Sequence, residues 1–114
     1  MGKREREAVQ DKCMDFLGRH PAVAWVHTTT TGKLPIRGGS WVKLGYPGMG
    51  DIIGQLKDGR ILSVECKAPG ETPTDDQWAF MNMVNHYGGV ATWCDNVEVL
   101  ALFFNQLEVS YGKA

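Results

Sequence analysis

No run of about 18 apolar residues, the length a bilayer-spanning helix needs, occurs anywhere in the chain. Its first ten residues, MGKREREAVQ, lead into charged residues and not into an apolar signal segment. A soluble cytoplasmic protein with no membrane partner is therefore expected. Internal repeats, low-complexity tracts and Pro- or Ser-rich linkers are also missing, so residues 1–114 are expected to form a single domain. Cysteine is scarce and unpatterned. Cys13, Cys66 and Cys94 are an odd number at wide spacing, which excludes both a disulfide framework and a CxxC metal motif. A zinc site built from them with His20, His27 and His86 lacks ligand spacing. They are expected to be reduced, buried thiols acting as small hydrophobes. A large excess of charge is lacking too: the formal net charge of −1 argues against a protein that simply coats nucleic acid.

What the chain does have is 43% hydrophobic content, enough for one core at this length, and an uneven distribution of charge. Residues 1–46 hold eight Lys/Arg against four Asp/Glu, whereas residues 47–114 hold four against nine. A basic arm (Lys3, Arg4, Arg6) and a basic loop (Lys33, Arg37, Lys43) could meet phosphates beside an acidic pocket; an ordinary solvated surface gives the same counts.

Ala8, Val9, Cys13, Phe16 and Leu17 recur at helical spacing, which predicts a first amphipathic helix from about Lys3 to Gly18. Ala22 to Thr31, rich in β-branched and aromatic residues, predicts a strand. Gly32 to Gly50 reads as a long loop with one brief strand at Trp41–Leu44, and an irregular stretch of this length points to a functional surface. Strands are predicted at Asp51–Leu56 and Ile61–Lys67, joined by a turn containing Asp58-Gly59. Thr74 is a candidate N-cap for a helix to about Tyr87, carrying Trp78, Met81, Val84 and Asn85; a strand at Val90–Cys94 follows. Asn96–Leu107 reads as a last helix, with a strand left open by its β-branched and aromatic content. The order is α-β-β-β-α-β-α.

The hairpin carries the chemistry. A two-residue Asp58-Gly59 turn sets Asp51 opposite Cys66; a three-residue Lys57-Asp58-Gly59 loop with left-handed Gly59 sets Leu56 opposite Arg60 and Asp51 opposite Glu65. The second register is preferred because it puts both carboxylates on one face. Glu65 and Lys67 share a face by strand alternation while the Cys66 side chain points to the other, leaving its backbone carbonyl between them as a further oxygen ligand. Two adjacent carboxylates repel unless a divalent cation lies between them, and hard oxygen ligands favour magnesium or manganese over zinc. Such an ion suits phosphoryl chemistry, with Lys67 placed to stabilise the transition state or to help position and deprotonate a water. A surface salt bridge at Glu65 with Asp51 capping a turn is the plainer alternative.

Gly45-Tyr46-Pro47-Gly48-Met49-Gly50-Asp51-Ile52-Ile53-Gly54, then Asp58-Gly59-Arg60, Val64-Glu65-Cys66-Lys67-Ala68-Pro69-Gly70 and Gln77 together resemble the VRR-NUC branch of the PD-(D/E)XK nucleases, over about residues 3–107. The resemblance implies a restriction-endonuclease-like core with a mixed central sheet flanked by helices. It implies a magnesium-dependent endonuclease, with manganese as substitute, in which Asp51 and Glu65 bind metal and Lys67 is catalytic. Gln77 matches a glutamine beside the active site. A first-helix glutamate pointing at the metal is also implied, and Glu5 is preferred over Glu7 because it precedes Ala8 and Val9 by three and four positions. Gly50 stands where the superfamily's name has proline. Minimal members are phage-type and junction-resolving homodimers, so branched or four-way-junction DNA in a bacterial or phage-infected cell is the implied substrate. A DNA-binding protein without turnover on the same fold is the alternative, and a thiol redox protein using Cys66 a third that lacks a CxxC partner.

Overall fold

The computed structural model describes residues 2–29, 33–35, 41–43 and 46–110, with the backbone alone at 33–35 and 41–43. Its elements are α1 (Gly2–Arg19), β1 (Val23–Thr28), β2 (Lys33–Pro35), β3 (Trp41–Lys43), β4 (Ile52–Leu56), β5 (Ile61–Cys66), α2 (Asp75–His86), β6 (Val90–Cys94) and α3 (Val97–Gln106). The fold is α/β, with a mixed four-stranded sheet in the order β1-β4-β5-β6. Its main elements follow the sequence order α-β-β-β-α-β-α. The small β2–β3 hairpin stands apart as a second sheet, whereas the sequence predicted only the Trp41 segment of it. No helix among the described residues is long and apolar enough to cross a membrane.

Helix α1 buries Val9, Cys13 and Leu17, a stripe of four-residue steps. Ala8, expected on that stripe, is exposed, because it falls one position off the row. The last helix is settled in favour of α: the Asn96 side chain caps its start by accepting a hydrogen bond from the Val99 N–H at 3.0 Å, and Leu100 and Phe104, four apart, are buried.

Strands β1 and β4 pair antiparallel, as do β4 and β5, while β5 and β6 run parallel, which the α2 crossover makes possible. The β4–β5 register is the preferred one. Ile52 pairs with Val64 and Gln55 with Ile61, so the same register sets Asp51 opposite Glu65. The turn behind it has the Leu56 N–H donating to the Arg60 carbonyl at 2.8 Å, with Gly59 at φ 99°.

Alternation along β5 then divides the interior. Leu62, Val64 and Cys66 join Val9, Cys13, Leu17, Ile52, Leu56, Val90, Cys94, Leu100 and Phe104 in one core under α1 and α3. On the opposite face Phe80, Met81 and Val84 of α2 pack against Ala91. Leu17, Ile52, Leu56, Leu62 and Leu100 are fully buried. Each such side chain stabilises the fold by about 1.5–3 kcal/mol relative to exposure. The smaller α2 side leaves room at its end for polar groups.

Candidate active site

Glu65 and Lys67 emerge on the α2 face of β5, where the sheet meets the start of that helix. Both are buried, Glu65 to 4% exposure and Lys67 to 9%. The Lys67 ammonium lies 3.8 Å from Glu65 Oε1, and its backbone N–H donates to the Cys94 carbonyl at 2.9 Å, continuing the parallel ladder past the strand end.

The same Glu65 oxygen accepts a hydrogen bond from Gln77 Nε2 at 2.9 Å. Gln77 is held there by a capping box. Its N–H donates to Thr74 Oγ1 at 3.3 Å, and its own Oε1 accepts the Thr74 N–H at 2.8 Å. One side-chain amide thus caps α2 through its oxygen and orients Glu65 through its nitrogen.

Asp51 arrives from the other strand. Its Oδ2 accepts the Cys66 N–H at 2.9 Å, taking the place of a backbone carbonyl at the end of the ladder. The backbone leading to it is pinned by Thr29, whose hydroxyl donates to the Gly50 carbonyl and whose N–H donates to the Asp51 carbonyl, both at 2.8 Å. In an extended chain the N–H and C=O of one residue face the same neighbour, so the Cys66 carbonyl also faces the Asp51 side.

Two glycines let this loop come close. Gly48 has φ 79°, and a Cβ there would stand 2.1 Å from the Asp76 carbonyl oxygen; a Cβ on Gly50 would meet Ser63 Oγ at 2.4 Å. The loop therefore lies directly against the first turn of α2 and against β5.

The result is a cavity of about 370 Å³ lined by Tyr46, Gly48, Met49, Asp51, Glu65, Thr74, Asp76 and Gln77. Three of the predicted residues, Asp51, Glu65 and Gln77, meet here, and Lys67 joins through its contact with Glu65. Asp76 and Tyr46 were not foreseen as lining residues; Asp76 stands in the first turn of α2, where an acidic residue is ordinary. Its place beside Gln77, once Gln77 is a site residue, is the signal that was available.

Glu5 lies elsewhere. It is exposed and lines a separate hollow with Ala8, Val9, Lys12, Pro69 and residues 95–98, sharing no residue with the Asp51 cavity. The neighbouring Arg6 pairs with Glu71 at 3.3 Å, and Glu71 also accepts the Ala68 N–H at 2.9 Å. That backbone hydrogen bond, with the Arg6 charge, holds the Glu71 carboxyl below its usual range. Of the predicted DNA-contacting residues, Lys33 and Lys43 are paired positions of β2 and β3, and Arg37 lies outside the described residues.

The cysteines are free and buried, as expected, and although widely spaced in sequence they lie together. Cys13 of α1, Cys66 of β5 and Cys94 of β6 are all buried, and their three sulfurs lie within 4.8 Å of one another. The S–H groups of Cys66 and Cys94 favour the thiolate at Cys13, and those two thiols are pushed up in turn by their contact with Cys13 and by burial. Sequence spacing gave no hint, because Cys66 and Cys94 become neighbours only through the parallel β5–β6 register, where they are direct partners.

No family model matches the chain, and no curated protein or solved structure matches it either.

Proposed function

We propose that the chain is a magnesium-dependent endonuclease hydrolysing DNA phosphodiester bonds, on a restriction-endonuclease-like core of the PD-(D/E)XK kind. The observation that carries this reading is the convergence of Asp51 and Glu65 on one cavity, with Lys67 and Gln77 both on Glu65 Oε1.

The donor set fits a hard divalent ion. Asp51 and Glu65 offer carboxylate oxygens and Cys66 a backbone carbonyl, with no nitrogen or sulfur ligand among the residues lining the cavity except the Met49 thioether. Magnesium or manganese held by these groups would polarise a phosphoryl oxygen and lower the pKa of a bound water. The chain's own residues do the rest. The Cys66 N–H fixes the Asp51 carboxylate through Oδ2, leaving Oδ1 for a ligand. Gln77 fixes Glu65 in rotation, and Lys67 supplies positive charge beside the place where phosphate charge builds up. Glu5, exposed on another surface, has no part in the ligand set proposed.

Branched DNA, such as a four-way junction, is the proposed substrate, because contacts to phosphates follow the shape of the nucleic acid and not its base sequence. Lys33, Arg37 and Lys43 are the proposed phosphate contacts. A homodimer would supply two sites for two strands. Trp25 and Ile61, half-exposed around one shallow hollow with Gly54 and Gln55, offer apolar surface for it.

The test is cleavage of single-stranded, duplex, flap and four-way-junction DNA with and without magnesium, by the wild-type protein and by Asp51→Asn. Metal-dependent cleavage lost in the variant supports the reading. Binding without cleavage under every condition makes the chain a DNA-binding protein on the same fold, and neither binding nor cleavage overturns the proposal altogether.

A further inference from the structure

The buried thiols lie directly behind the carboxylate cavity, on the other face of the same strand. Cys13, Cys66 and Cys94 are 0%, 1% and 1% exposed, and the Cys13 and Cys94 sulfurs are 3.5 Å apart. We propose that Cys13, Cys66 and Cys94 form a second metal site, a three-sulfur site for a thiophilic d¹⁰ cation such as Zn²⁺ or Cu⁺.

Geometry supports it. With metal–sulfur bonds of about 2.3 Å, three sulfurs arranged in a plane around one ion stand about 4.0 Å apart. The present spacing, from 3.5 Å up to at most 4.8 Å, needs only small side-chain adjustments to reach that value. No histidine or carboxylate belongs to the group among the described residues, so the site is purely soft. Soft thiolates select Cu⁺ and Zn²⁺ over hard ions, the reverse of the preference across the strand.

The three ligands come from three elements, α1, β5 and β6, so one ion would tie the first helix to both parallel strands. On binding, each ligating thiol gives its proton to solvent and a metal–sulfur bond replaces it. Because the sulfurs are enclosed, loading requires local opening of the folded chain, or metal present during folding.

This site is independent of the nuclease reading, and its test reads metal and not cleavage. Reduced protein is refolded anaerobically with Zn²⁺, Cu⁺ or the spectroscopic stand-in Cd²⁺, then freed of loose metal by gel filtration against a chelator. One retained equivalent per chain, thiolate-to-metal charge-transfer absorption with Cd²⁺, and a sulfur-only shell by X-ray absorption are expected. The arm that keeps its ion against the chelator identifies the cation. Cys13→Ala and Cys94→Ala should each lower affinity by more than about a hundredfold, beyond the loss that outer-shell changes cause. Asp51→Asn should retain the ion at wild-type affinity. Circular dichroism confirms that each variant is folded, and a gain in Tm with Cd²⁺ that the wild type shows and the folded Cys variants lack gives a second readout. No retained equivalent after refolding overturns the proposal, as does retention that survives both Cys replacements or is lost in Asp51→Asn.

Discussion

Strand β5 separates two interiors that handle burial by opposite means. On the α1/α3 side, Leu62 and Val64 are fully enclosed by other apolar side chains, and stability there follows from volume and area. On the α2 side, Glu65 and Lys67 are nearly as enclosed, but they are held by directional contacts, the Gln77 amide and the 3.8 Å ion pair. An apolar face tolerates swaps that conserve volume; a polar face tolerates only those that keep every donor facing an acceptor. The difference predicts that changes on the first face act on stability and changes on the second act on function.

The strongest test pairs one residue from each side. Glu65→Gln keeps shape but removes the charge of a proposed metal ligand, and should cut cleavage by at least about a hundredfold with only a small change in Tm. Leu62→Ala should leave the remaining folded fraction active while costing about 2–5 kcal/mol in urea unfolding. Equal effects of both on stability, with equal activities, would erase the distinction.

Lys67→Ala blurs the boundary in a defined way. It should lower turnover by about a hundredfold and leave magnesium binding intact. It also deprives the buried Glu65 of its ammonium, so the metal-free variant's Tm should fall below the wild type's, while the gain on adding magnesium stays similar because the affinity is unchanged. Calorimetric titration beside thermal melts checks both points.

Gln77 belongs to both functions, cap and site, and two substitutions separate them. Gln77→Ala should cost about 1 kcal/mol through the Thr74 N–H left without its side-chain acceptor and about tenfold in activity through an unheld Glu65. Gln77→Glu retains a capping acceptor but replaces the amide donor with a second carboxylate against buried Glu65, so it should lose stability without magnesium, regain part of it when magnesium is added, and still not recover activity.

The smallest effect comes from His20 at the far end of the α1 face, between Phe16 and Phe104. Its Nδ1 accepts the Ala22 N–H at 3.0 Å, and burial lowers its pKa from the ordinary value of 6.5. The folded state thus binds the proton less well than the unfolded one. The contribution is fully present above pH 6.5 and is lost as pH falls from there through the lowered folded value. Urea unfolding at pH 7 and pH 5 should show a loss that is reduced in His20→Gln.

Legibility in the sequence followed the range of the interactions. The β4–β5 register could be reasoned from the turn because Gly59 and the strand lengths are local, and Thr74 announced the α2 start for the same reason. The β2 strand escaped because Lys33–Pro35 has neither length nor alternation; pairing with β3 defines it. Glu5 does continue the Val9, Cys13 and Leu17 row by four residues, but the row leaves the core before the first turn of α1, so Glu5 is exposed and faces Pro69 and residues 95–98, not the Asp51 cavity, a docking that spacing along one helix does not encode. The thiol cluster was invisible because it depends on how a helix and two parallel strands dock.

That contrast in range has a kinetic consequence. The Asp51–Cys66 and Gln77–Glu65 bonds close loops of 15 and 12 residues, while the Cys13–Cys94 contact closes one of 81. Short loops lose less entropy on closing and form sooner. The hairpin and the capped helix can therefore assemble the carboxylate cavity while α1 is still undocked, and the three sulfurs meet only when the chain's two halves join. In refolding followed by pulsed hydrogen exchange, the Cys66 amide, which Asp51 holds, should gain protection ahead of the amides around Cys13.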